Sequence, residues 1–470
     1  MKKTAVCIAL VGLLALGGQA IAEIGTIDDV PAATLMVPYF EVDLNDPNQN
    51  TTLFSINNAS AAPAIAHVVL WTDLSVPTLD FNVFLTGYDV YTVNLRDLFT
   101  TGAIPPSSAN NVAISPRGIF SLTTNPISGV GPGSPGCADQ LPIGNLPASV
   151  VAHLIAAHTG QGSGIFGGLC SGIDYGDNIA RGYVTVDNAN FCNLRFPTDC
   201  AAGYFIAGGL GDSNNINQLW GDWFMVDTLN NFAQGDTLVH IEANSNFDAL
   251  QIPLLDPDTG VTVTTVANAT GYTFYGRYFV PPTGPDNREP LGTIWGTRYL
   301  NGGVFDQTRL IVWRDSTADD IAPPPNQSWC NGAGPSWFPL NETEVIAFNE
   351  AEDAVEICFF TGGFVSPPDE SDPPCFPWET HLYNWGEGDL SVPFNFGWAW
   401  LNLNLPPDAP IGDADFGSDG NIAQSYVTTT HSALGLFSVG LQAVQLYDAC
   451  QDYNQFLNGA IENGGVNIID

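Results

Sequence analysis

The chain has 470 residues, only 13% of them charged, and its 49 acids face 11 bases for a formal charge of −38. Lys2 and Lys3 are the only lysines, so a chain cut after residue 22 keeps nine arginines and reaches −40. Such a body repels nucleic acid, anionic membrane surfaces and acidic polysaccharides, and without lysine it excludes Schiff-base chemistry.

The first predicted element is a signal peptide over residues 1–22. Lys2 and Lys3 supply the positive start, Thr4 to Gly18 the apolar core, and Ala20-Ile21-Ala22 a small-residue cleavage site. The expected location is outside the cytoplasm: extracellular, cell surface or periplasm. The remaining length exceeds one core, and 49 glycines and 34 prolines punctuate short runs rich in Val, Ile, Phe, Tyr, Thr and Trp. This pattern predicts an all-β chain: tandem β-sandwich domains, Ig-like or jelly-roll-like, with long Gly/Pro-rich, disulfide-stapled loops. The first domain is expected over 23–232 with a loop-rich excursion at about 101–176, and the second over 233–470.

Asp43 to Asn50 reads as a hairpin loop with a secondary claim as a cation site. After it, Thr52–Ile56, Ala64–Thr72, Leu79–Leu85 and Val90–Leu95 are strands separated by turn residues. On these residues the block 51–99 resembles the immunoglobulin-like sandwich modules of exported bacterial proteins, a likeness of pattern that implies a fold and no activity.

Pro147 to His158 predicts a helix, with Pro at its start and Gly160 past its end. His153 and His158 lie about 140° apart around it, on different faces, so they read as structural and not as a metal pair. Without Cys7, eight cysteines remain and none forms a C-x-x-C pair, which favours disulfides over zinc or redox chemistry. The expected local staples are Cys192–Cys200, worth about 2.5 kcal/mol on the loop-entropy model, and Cys137–Cys170. No G-x-S-x-G nucleophile elbow occurs, and Gly211-Asp212-Ser213 reads as a turn.

Trp220, Asp222 and Trp223 place rings beside an acid, as sugar binders do, although buried sandwich aromatics give the same string. Asp236–Ser245 echoes Thr51–Ser60, and Gln307–Asp315 reads as a related strand. Trp385 with Glu387 repeats the ring-plus-acid arrangement. Trp398 and Trp400 alternate in a strand and read as core or as a same-face platform. From Asp315 onward there are 23 acids and no Lys or Arg, so carboxylates there repel one another unless a cation relieves them. Asp413, Asp415, Asp419 and Asn421, spaced by glycines, are the expected metal ligands, with calcium the hard cation that oxygen donors suit.

Together these features predict a secreted or cell-surface structural or adhesive protein without catalytic activity, calcium-stabilised through that loop. The alternative is a carbohydrate-binding or carbohydrate-active extracellular protein. Expected partners are a polysaccharide, a surface protein or further copies of the chain.

Overall fold

The computed structural model describes residues 30–105, 145–165, 168, 170–192, 195–197, 203–206, 208–243, 254–255, 262–263, 274–275, 288–316, 340, 342–359, 375–404, 423–433 and 435–448. Among them the protein is all-β, built of packed antiparallel sheets. The four strands expected in 51–99 all form, and so does the helix expected at 147–158.

A five-stranded sheet lies in the middle of the molecule. Its order is β10 (Val239–Ile241), β1 (Thr34–Asp43), β6 (Ile179–Ala189), β3 (Ala64–Trp71) and β4 (Pro77–Leu85). On one side it meets β5 (Val90–Asn94), β2 (Thr51–Asn58), β8 (Asp222–Asp227) and β9 (Phe232–Thr237), with β7 (Leu219–Trp220) also paired to β2. On the other it meets a larger sheet in the order β16 (Ala354–Phe359), β15 (Glu344–Asn349), β18 (Phe396–Asn402), β13 (Gly292–Leu300), β19 (Ala423–Ala433), β14 (Gln307–Ser316) and β17 (Thr380–Trp385). β20 (Phe437–Gln442) joins that sheet beside β19 and β21 (Val444–Asp448) beside β13, making nine strands. β11 (Leu254–Leu255) and β12 (Thr262–Val263) form a separate two-residue ladder.

The middle sheet explains runs such as Ala64-Ile65-Ala66-His67-Val68-Val69-Leu70-Trp71, every residue of which is buried. An antiparallel sheet with one wet face shows strict alternation, whereas a sheet covered on both sides reads as continuous apolar sequence. Ala66, Val68 and Leu70 join the first core with Phe54, Ile56, Trp223 and Met225. Val69 and Trp71 join the second, with Trp295, Leu310, Val312 and Trp313 of the nine-stranded sheet. Pro38 falls within the register shift between Val37 and Phe40 of β1, where proline's missing N–H costs no ladder bond. Its carbonyl accepts a 2.6 Å bond from the Thr380 hydroxyl of the nine-stranded sheet. Helices α1 (Leu95–Thr101) and α2 (Ala148–His158) close one end of the first core through Leu98, Phe99 and Leu154.

Two expectations change here. Asp222–Thr237 forms one continuous hairpin, so strands on both sides of the expected division at 232/233 lie in a single sheet. The segment echoing Thr51–Ser60 is cut at Leu238: β9 belongs to one sheet and β10 to another, so the echo is not a repeated unit.

Candidate binding surfaces

Charge inside this protein is spent on packing. Asp187, fully buried, accepts from Thr34 at 2.5 Å, Tyr204 at 2.5 Å and Tyr275 at 3.0 Å, with Arg288 at 3.4 Å. Arg314, also fully buried, donates to the carbonyls of Phe376 and Leu403 at 2.6 Å each and lies 3.6 Å from Glu342. His158 bonds Thr78 at 2.7 Å and the Arg181 carbonyl at 2.8 Å, and burial pushes its pKa down to about 3. His153 bonds Ser163 at 2.5 Å, so both helical histidines have structural roles on separate faces. Among the described arginines only Arg298 is exposed, with Arg96, Arg195 and Arg309 half-buried.

The Trp220–Trp223 segment divides by strand alternation. Trp223 is fully buried in the first core and is not a surface ring; with Met225 it occupies the inward phase of β8. Trp220 and Phe224, 41% and 47% exposed, stand outward with half-buried Asp222, whose backbone N–H donates to Ser55 Oγ at 3.2 Å. Phe224 lies over Gly235, where a Cβ would sit 2.4 Å from the ring.

The second expected pair separates likewise. Trp385 is buried against Tyr299, ring centroids 5.4 Å apart, so it offers no surface for stacking. Glu387 is exposed, accepts from Asn384 at 3.1 Å, and lines a cleft of about 440 Å³ with Trp378, His381 and Tyr383. Beside the cleft, His381 stacks on Tyr175 at 5.3 Å, and Arg181 sits 4.6 Å over the Tyr175 ring. Asp73, 2% exposed, accepts from the Ile173 N–H at 3.2 Å, and burial raises its pKa to about 7. Glu379, fully buried, accepts from Tyr183 at 3.0 Å and from Ser75, bonding the middle sheet to the nine-stranded one. Asp73 and Glu379 are buried in the packing of the middle sheet and are not exposed on the cleft side as Glu387 is.

A third surface joins residues that the sequence keeps apart. In β18, Trp398 and Trp400 point away from the core, while Ala399 and Leu401 fill it. Register sets Phe348 of β15 opposite Trp398 and Ile346 opposite Trp400. Beyond β15, Glu356 of β16 faces Ile346; on the far side, Arg298 of β13 faces Trp398. Phe348 and Trp398 stack at 4.7 Å with planes 11° apart, and Arg298 pairs with Glu350 at 3.1 Å. Burial first and then Glu356 raise the Glu344 pKa to about 7, with the Trp400 indole acting in the opposite sense. The alternation Glu344-x-Ile346-x-Phe348 was visible in the sequence, but its neighbourhood with Trp398 depends on register across some fifty residues.

The expected calcium ligands Asp413, Asp415, Asp419 and Asn421 lie outside the described residues. Among the described residues no group of three or more His, Cys, Asp and Glu side chains is placed to hold a metal ion. In the Asp43–Asn50 loop the inward carbonyls are taken by Arg96, which donates to Asp43, Asp46, Gln49 and Asn50 at 2.7–3.1 Å. Cys170, Cys192 and Cys375 are disulfide-bonded. Cys137 and Cys200, the partners expected for the first two, lie outside the described residues.

No protein-family model and no curated protein matches this chain. Among solved structures, an α-L-rhamnosidase of Streptomyces avermitilis complexed with L-rhamnose is similar at 10% identity and a TM-score of 0.16, covering 88% of this chain. The chain spans 26% of that protein's length, and at this TM-score neither fold nor activity transfers.

Proposed function

We propose that this is an exported, non-catalytic protein that acts by adhesion, a disulfide-stapled β-scaffold that presents flat sheet faces to a surface or polymer. One observation carries the reading. Asp73 and His158, whose pKa values burial moves strongly, are engaged in packing at the middle sheet, whereas Trp220, Phe224 and Trp398 stand outward on sheet faces. Contiguous exposed apolar patches rimmed by polar residues mark interaction surfaces. The eight cysteines and the amino-terminal signal pattern support work outside the cytoplasm. In this reading calcium bound at Asp413–Asn421 offsets the repulsion among carboxylates of the carboxyl-terminal third.

The test is incubation of the mature protein with a panel of insoluble polysaccharides and extracellular matrix proteins, with retention and soluble reducing ends measured together. Retention without release is expected. Release of reducing ends in proportion to added protein would overturn the non-catalytic reading, and failure to bind any surface would overturn adhesion.

A further inference from the structure

We infer that the outer face of the nine-stranded sheet, centred on Trp398, is a binding site for an uncharged polysaccharide. The inference rests on the adhesive reading above and gives it a place and a ligand class.

Four adjacent strands form the face. One row across them runs Glu356, Ile346, Trp400, Gly296, and the next runs Ala354, Phe348, Trp398, Arg298. Three strand spacings make each row about 14 Å long. Within the face Ile346 is 1% exposed and Trp398 is 41% exposed. The close approach of β15 to β18 depends on Gly397, where a Cβ would fall 1.7 Å from the Phe348 carbonyl oxygen. Glycine there lets the Phe348 and Trp398 rings stand face to face as one ridge.

Chemistry selects the occupant. A pyranose lays its C–H face on an aromatic ring, and its hydroxyls bond carboxylates and guanidinium groups at the rim. Here the ridge is flanked by Glu344 and Glu356 on one side and by Arg298 with Glu350 on the other. A dry protein interface, including a second copy of this chain, would desolvate the exposed Glu356, Glu350 and Arg298 at a net cost unless every one found a partner. A polysaccharide leaves them wet and exchanges ordered water for hydroxyls. An anionic polymer is disfavoured by the whole molecule, whose formal charge is −38 with the signal region included.

The test is native-gel affinity electrophoresis, which suits so anionic a protein. The gels contain soluble dextran, mixed-linkage β-glucan, glucomannan or arabinan. Retardation by at least one polymer is expected, with affinity falling roughly tenfold in Trp398→Ala, the scale of one stacking contact. Phe348→Leu, which keeps the apolar volume, should weaken it in the same direction, and Leu210→Ala, at a loop residue 74% exposed, should bind as wild type does. Equal retardation of wild type and Trp398→Ala would overturn this site and leave adhesion standing. No retardation by any of the four polymers, with retention on a matrix protein in the preceding assay, would overturn the ligand class alone.

Discussion

Asp73→Asn should make the protein more stable at neutral and alkaline pH, and only there. Asp73 is 2% exposed, and burial lifts its pKa from 3.8 to about 7, opposed by the Ile173 N–H and by Arg181. The folded state therefore holds this proton between about pH 4 and pH 7 while the unfolded chain releases it, and stability falls as pH rises through that window. Three pH units correspond to a ceiling of about 4 kcal/mol, fully felt above pH 7 and absent below pH 4. Asparagine keeps the oxygen that accepts from Ile173 at 3.2 Å and carries no charge. The variant should gain about 2–4 kcal/mol near pH 8 and match wild type near pH 4. The assay is urea denaturation followed by tryptophan fluorescence at a series of pH values, read as the difference between the two proteins. That difference cancels the buried histidines, which titrate in the opposite sense. A variant equally destabilised at both ends of the range would refute the reasoning.

Trp223→Ala should cost about 3–5 kcal/mol by opening a cavity in the first core, whereas Trp220→Ala should change stability by less than about 0.5 kcal/mol; thermal melts of the pair decide. Glu342→Gln removes the anion 3.6 Å from the buried Arg314 guanidinium and should cost about 3–5 kcal/mol, measured by the same denaturation. Because Arg298 alone of the described arginines is exposed, raising salt from about 0.01 M to about 0.15 M should raise the melting temperature; a fall would mean that attractive pairs dominate the surface. Chelation of calcium should lower the melting temperature, and Asp415→Asn should remove that response; an unchanged melt with chelator would exclude a structural calcium.

Much of the fold was legible because strand periodicity is local. The strands of residues 51–99, the Gln307–Asp315 strand and the 147–158 helix follow from runs bounded by turn residues. Phase was not legible: Trp220 and Trp223 look alike in the string, but alternation sends one into water and the other into the core. Nor was the covering of the middle sheet, since a run buried on both faces names no partner. The division at 232/233 failed for a related reason. Turn residues at 228–231 mark a chain reversal, and a hairpin turn inside one sheet looks the same as a linker between domains. Alternation put Trp398 and Trp400 on one face, but Phe348, Glu356 and Arg298 join it only through cross-strand register, a tertiary property.

The most direct test is hydroxyl-radical footprinting of the mature protein with and without the retarding polysaccharide, reading oxidation at each exposed ring by mass spectrometry. Trp398 and Phe348 should be protected by the polymer while Trp220, Phe224 and Trp378 oxidise as before. Protection at Trp220 or at the Trp378 cleft, with Trp398 unchanged, would contradict the account.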